Sequence, residues 1–185
     1  MTKVHTDLEI QKANVGKVKE LNDKIFLSEY DKQWPVEFLK QKEIISKSLA
    51  HLEIAVEHVG STSVVGLMAK PILDILLTVP DSSHEDQYLE NLEANGYWLK
   101  IREPEWFEHR MFKCRSYEVN LHVFTEGCSE VLKMIRFRDH LNTNKEDFEL
   151  YQRTKRDLAQ RTWKYTQNYA DAKSQVVQDI MTRAL

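Results

Sequence analysis

The chain of 185 residues is poor in several features that mark large protein classes. It has two cysteines, Cys114 and Cys128. They are too few for a disulfide framework and lack metal-type spacing, which fits a reducing cytoplasm. Neither has a histidine at a recognisable offset, so both read as small buried thiols. Five glycines and four prolines leave no room for long linkers or for a repeat. No apolar run is long enough to cross a membrane. The opening MTKVHTDLEIQKANVGK has no apolar signal core. Positive charge is not in excess either: 26 Lys and Arg face 29 Asp and Glu, a net charge of −3. No global field draws nucleic acid, and aromatics do not interleave with a basic run. Nucleic acid and membranes are therefore not expected partners. What is present is 42% hydrophobic and 30% charged residues, enough for one soluble domain with its own core.

Residues 1–23 form a polar, charge-mixed arm, and 24–185 read as a single domain. KIFLSEY (24–30) reads as a short strand. The helical segment after it has Pro35 at the first helical position and one buried stripe of Phe38, Ile45, Leu49 and Leu52. IAVEHV (54–59) is a strand ended by Gly60, and KPILDILLTV (70–79) is a nearly all-apolar, central one. Residues 82–95 predict a surface helix stopped by Gly96. Strands follow at 97–101, 109–114 and 117–124, the last two as an antiparallel hairpin. From Ser129 onward the pattern predicts two or three helices. The fold class is α/β in the broad sense (α+β): a mixed sheet flanked by helices, with a helical C-terminal part from about residue 129.

One acid on an apolar strand asks for an explanation. Alternation puts Asp74 on a face with Ile72, Leu76 and Thr78, and puts Glu118, Asn120 and His122 together on another strand. If those strands are neighbours, Asp74, Asn120 and His122 converge. Buried without partners they would be costly, so a cleft or mutual pairing is expected. The turn Gly60-Ser61-Thr62-Ser63 could cradle phosphate oxygens with its N–H and hydroxyl groups. It could equally be a strand exit with a helix cap. Lys70, Arg110 and Arg138 are candidate phosphate partners, against the plainer reading of solvated or ion-paired surface groups. Glu57 and His58 point to opposite faces, so at most one of them faces the cleft.

Five blocks in order, VEHVGSTSVVGLMAKPILDILLTV, NLHVF, IRFRDHL, YQRTKRDLA and YADAKSQVVQDIM, resemble the successive blocks of the GrpB family. The resemblance runs from about Ile25 to the C-terminus. It implies a nucleotidyltransferase-like fold, in which a Gly-Ser turn precedes a strand bearing Asp-x-Asp or Asp-x-Glu and a later strand adds a third acid. Gly60 and Ser61 match the turn and Asp74 the first acid. Leu76 stands in the second acid's place, the later strand offers Asn120-Leu121-His122, and Val65 replaces a usual proline before Gly66. The resemblance implies nucleotidyl transfer from a nucleotide to a small acceptor. Asp74, His122 and Glu57 are its catalytic candidates. Gly60, Ser61, Thr62, Ser63, Lys70, Arg110 and Arg138 are its phosphate candidates. Asp74 and His122 would hold a divalent Mg²⁺ or Mn²⁺. Two other readings stand beside it: a nucleotide or phosphorylated-metabolite binding protein with a degenerate metal site, and an interaction module using the C-terminal helices.

Overall fold

The computed structural model describes residues 4–184. Of the N-terminal arm, residues 1–3 lie outside the described residues. The arm carries a short helix, α1 (Asp7–Ala13), opened by a reciprocal cap. Thr6 Oγ1 accepts from the Glu9 N–H, while the Glu9 carboxylate accepts from the Thr6 N–H at 2.8 Å. The arm is tied to the domain: Asp171 accepts from both the His5 N–H and ring, and the Asn14 and Ile101 backbones bridge.

The rest runs α2 (Gln33–Ser48), β1 (Ala55–Val59), β2 (Leu73–Val79), α3 (Leu89–Ala94), β3 (Tyr97–Glu103), β4 (His109–Cys114), β5 (Val119–Thr125), α4 (Ser129–Thr143), α5 (Lys145–Ala159), α6 (Thr166–Ala172) and α7 (Ser174–Arg183). The five strands form one mixed sheet in the order β1-β2-β5-β4-β3. Only β2 and β5 are parallel, and the expected β4–β5 hairpin is antiparallel. Helices cover both faces. On one, α2 and α3 bury Trp34, Ile45, Leu49 and Leu92 against Leu73, Ile75, Leu77, Phe112, Leu121 and Val123. Each such side chain contributes about 1.5–3 kcal/mol by leaving water. On the other, α4 packs Val131, Met134 and Ile135 on Val59, Leu76 and Phe124, and α4, α5 and α7 close a second core around Leu67, Leu141, Tyr151 and Ile180.

Several expected elements differ in the structure. Residues 24–30 make no strand. Ser28 bridges Ala69 through one reciprocal pair of hydrogen bonds, and the ladder cannot extend because Pro71 has no N–H to give. For the same reason β2 starts at Leu73 rather than Lys70. Pro35 is the third residue of α2, still inside the first turn where an N–H has no helical partner. Leu52 lies beyond that helix but packs on the same core. The surface helix at 82–95 is split. A 3₁₀ turn at Glu85–Gln87 precedes α3, because Tyr88 (φ −136°) turns its ring into the core and donates to the Ser82 carbonyl. The C-terminal part has four helices, since Lys173 divides α6 from α7.

Candidate functional site

The central parallel pair decides the site. β2 and β5 are in register with Asp74 opposite Asn120 and Leu76 opposite His122, so the three polar groups share one face. Asn120 Nδ2 donates to Asp74 Oδ1 at 2.7 Å, and His122 Nε2 lies 3.7 Å from the same oxygen. Antiparallel pairing puts Val59 beside Asp74 and Glu57 beside Leu76 on that face. Gly60 then folds over the acid. Its φ of 68° and ψ of −168° fall in a region essentially reserved for glycine, and a Cβ there would meet Asp74 Oδ2 at 2.3 Å. The turn therefore lies directly against the carboxylate.

Around this one acid stand four lysines from four places in the chain: Lys70 before β2, Lys113 on β4, Lys155 on α5 and Lys173 at the α6–α7 break. None of them forms an ion pair among the described residues. Lys155 is 2% exposed and donates to the Met68 carbonyl. Lys70 and Lys173 approach the Tyr169 ring from 5.9 and 4.5 Å, and Lys155 approaches the Tyr151 ring from 5.3 Å. Burial pushes Lys70 down to about 8; Lys173 and Lys113 lower it further, against the pull of Asp74. Lys173 also falls to about 8 through burial, again opposed by Asp74. Lys155 is driven well below the ordinary lysine range by burial and by Lys173 and Lys70. Burial likewise lowers Lys113. For Asp74, burial works to raise the pKa, but His122, Asn120 and Lys70 outweigh it and hold the carboxyl below its usual value. Tyr169 Oη is buried without a hydrogen-bond partner among the described residues, and Ser61 lies near enough to Tyr151 to favour its ionised form against burial. This site thus gathers four lysines within electrostatic reach of Asp74, with Glu118 also acting on Lys113.

Some expected residues reach this pocket and others do not. Gly60, Ser61, Lys70, Asp74 and His122 are at it. Thr62 is buried and its hydroxyl pairs with His58 Nε2 at 3.0 Å, while Ser63 Oγ donates to the Gly60 carbonyl at 2.6 Å. Both hydroxyls hold the turn's shape. Arg110 is corrected outright. It pairs with Val123 in the ladder, on the opposite face of the sheet, where it is 4% exposed and bound to Glu85 and Glu108. Glu57 is on the Asp74 face, but Arg138 Nη1 donates to it at 2.7 Å and to the His58 carbonyl at 2.9 Å, so acid and base occupy each other. The sequence reading missed Lys113, Lys155, Lys173, Tyr151 and Tyr169. For Lys155 a signal existed: it falls on the buried stripe of α5, in step with Asp147, Tyr151 and Leu158.

The GrpB protein family model matches residues 24–183. The chain belongs to the GrpB family. UPF0157 protein BH1888 of Halalkalibacterium halodurans is 53% identical over 97% of this chain and 92% of that protein. The crystal structure of the conserved protein GrpB from Enterococcus faecalis superposes with a TM-score of 0.75 at 27% identity, over 86% of this chain and 96% of that one. A mutant of the Cid1 poly(U) polymerase bound to MgATP aligns over 72% of this chain and 45% of its own at 11% identity. Its TM-score of 0.42 is too low to carry any argument about this member of the family.

The side chains at the pocket do not fit a resident divalent metal. Asp74 is the sole acid at the acid–imidazole pair, its Oδ1 already accepts from Asn120, and the lysines beside it repel a dication. Among the described residues no group of three or more His, Cys, Asp or Glu is gathered to hold an ion. The position of a second acid is Leu76, 1% exposed beneath α4. No described helix is long and apolar enough to cross a membrane.

Proposed function

We propose that this chain binds the phosphate groups of a nucleotide or a phosphorylated small metabolite in the pocket above Asp74. The observation that carries the reading is that Lys70, Lys113, Lys155 and Lys173 all lie within electrostatic reach of Asp74, with Glu118 as a further carboxylate beside Lys113. Like charges held together out of water are unfavourable until an anion joins them, and a phosphate supplies both the charge and several acceptor oxygens. Ser61 and the unpartnered Tyr169 hydroxyl add neutral donors. Any Mg²⁺ or Mn²⁺ enters with the phosphates. Nucleotidyl transfer to a small acceptor is the second reading, favoured by His122 Nε2 facing Asp74 across 3.7 Å beside the phosphate cradle. Use of the C-terminal helices as an interaction module draws no support, because α4, α5 and α7 spend apolar faces on the core.

Titration calorimetry with inorganic phosphate and with nucleoside triphosphates, with Mg²⁺ and with a chelator, tests the reading. Metal-independent binding with a larger heat for the triphosphate is expected. No binding in any of these conditions would remove it.

A further inference from the structure

A row of side chains crosses the polar face of the sheet beyond the lysine cradle. Glu103 closes β3 and sits opposite His109, the first residue of β4. Glu103 Oε2 lies 2.8 Å from His109 Nδ1, His109 Nε2 lies 3.0 Å from His122 Nδ1, and His122 Nε2 faces Asp74 Oδ1. The two imidazoles are nearly parallel, 18° apart. His109 is held from both sides, stacked on Phe124 at 4.7 Å with the Trp106 edge at 5.1 Å, and is only 3% exposed.

The protons in this row can be assigned by elimination. An ionised carboxylate only accepts, so His109 carries its proton on Nδ1, toward Glu103. Burial pushes His109 down to about 4, against the pull of Glu103, so near neutral pH it is uncharged and its Nε2 is a bare acceptor. His122 must then donate from Nδ1. That proton stays whether His122 is neutral or charged. Any proton His122 gains or loses is therefore on Nε2, the atom turned to Asp74 and the pocket.

We propose that Glu103 and His109 are positioning residues that lock the His122 tautomer, so that His122 Nε2 and Asp74 Oδ1 form the seat for a hydroxyl or amine of the phosphorylated ligand. Two acceptors facing each other across 3.7 Å need a donor between them, and such a group supplies it. The seat rests on the phosphate reading; the tautomer lock does not. In transfer to a hydroxyl, its oxygen bonds to phosphorus and its proton passes to His122 Nε2. The P–O bond to the leaving phosphate breaks, taking the bonding pair with that phosphate. The imidazolium formed donates from Nδ1 to His109 and carries the transferred proton on Nε2, facing the Asp74 carboxylate.

Nitrogen-15 NMR of the histidine rings in the ligand-free protein tests the lock. At neutral pH, the uncharged forms of both His109 and His122 should be protonated at Nδ1. Glu103→Gln presents an amide that can also donate, so it should convert His109 and His122 to tautomer mixtures, while Glu103→Asp should restore the single form. Neutral His122 protonated at Nε2 in the wild-type protein would overturn the proposal, and that spectrum needs no variant to fold. Unchanged tautomers in Glu103→Gln would overturn it as well. Because no ligand is present, failure of phosphate binding and failure of the lock are read separately.

Discussion

Lys173→Met is the most direct perturbation of the cationic cradle. In the native fold the Lys173 ammonium sits near 8, against 10.5 for the free side chain, because burial disfavours its charge. A group of this kind binds its proton less tightly folded than unfolded, so below pH 8 the fold bears the whole difference. Each pKa unit is worth about 1.4 kcal/mol, which sets a ceiling of about 3 kcal/mol for the shift. Solvent at the half-buried amine and the lost cation–π contact with Tyr169 reduce the expected gain on substitution to about 1–2 kcal/mol. The ligand-free variant should melt about 2–8 °C above the wild type at pH 7. The gap should close as pH rises from 8 to 10.5, where the wild-type lysine sheds its proton in the native state first. If phosphate binds in the cradle as proposed, it should raise the melting temperature of the wild type and raise that of the variant much less. The assay is thermal unfolding across this pH range with and without phosphate. A variant less stable than wild type at pH 7, with an undiminished response to phosphate, would refute the reasoning.

Other perturbations test neighbouring parts of the site. Asp74→Asn removes the acid that all four lysines share: metal-free phosphate binding measured by calorimetry should tighten several-fold, whereas a metal-dependent site would lose binding altogether. Gly60→Ala combines a left-handed backbone with a Cβ that would meet Asp74 Oδ2 at 2.3 Å. It should cost at least ~1–3 kcal/mol in denaturant unfolding, and Asp74→Ala in the same chain should recover part of that. Burial holds His58 near 4, against the pull of Asp74 and with Arg138 lowering it further. The unfolded chain therefore takes up this proton first, and His58 contributes stability that is lost as pH falls from 6.5 through 4; His58→Gln should flatten the melting-temperature profile in that window. Leu76→Asp places an acid under α4 among Val59, Phe124 and Val131, and should destabilise the fold by ~3 kcal/mol or more.

The sheet was legible where periodicity and register coincide. Alternation along residues 70–79 and 117–124 placed Asp74, Asn120 and His122 on one side each, and the parallel pairing of β2 with β5 then brought them together. The same alternation could not place Arg110, because facing toward or away from Asp74 depends on which residue of β4 pairs with which of β5. The Arg110–Val123 rung sends the guanidinium to the far face. Residues 24–30 looked like a strand by composition, but strand formation needs a partner with free N–H groups, and Pro71 ends that supply. The lysine cradle was harder still. Lys70, Lys113, Lys155 and Lys173 come from a loop, a strand, a helix and a helix break, and nothing local says that their amines meet.

Leu76 ties these observations together. As a sequence feature it marks the place of a missing acid. In the structure it is a packing residue, buried with Val59, Phe124 and Val131 where α4 lies on the sheet. A carboxylate there would lose water and gain no cation, because Arg138, the base that α4 brings to this face, is already shared by Glu57 and Asp139. The lysines that a second acid would neutralise lie around Asp74, one rung pair away. At position 76 the fold therefore has helix packing rather than a carboxylate, and the positive charge near Asp74 comes from lysine side chains. On the proposed phosphate reading this suits an anionic partner: Asp74 offsets part of the lysines' repulsion in the ligand-free protein, and a bound phosphate would offset the rest.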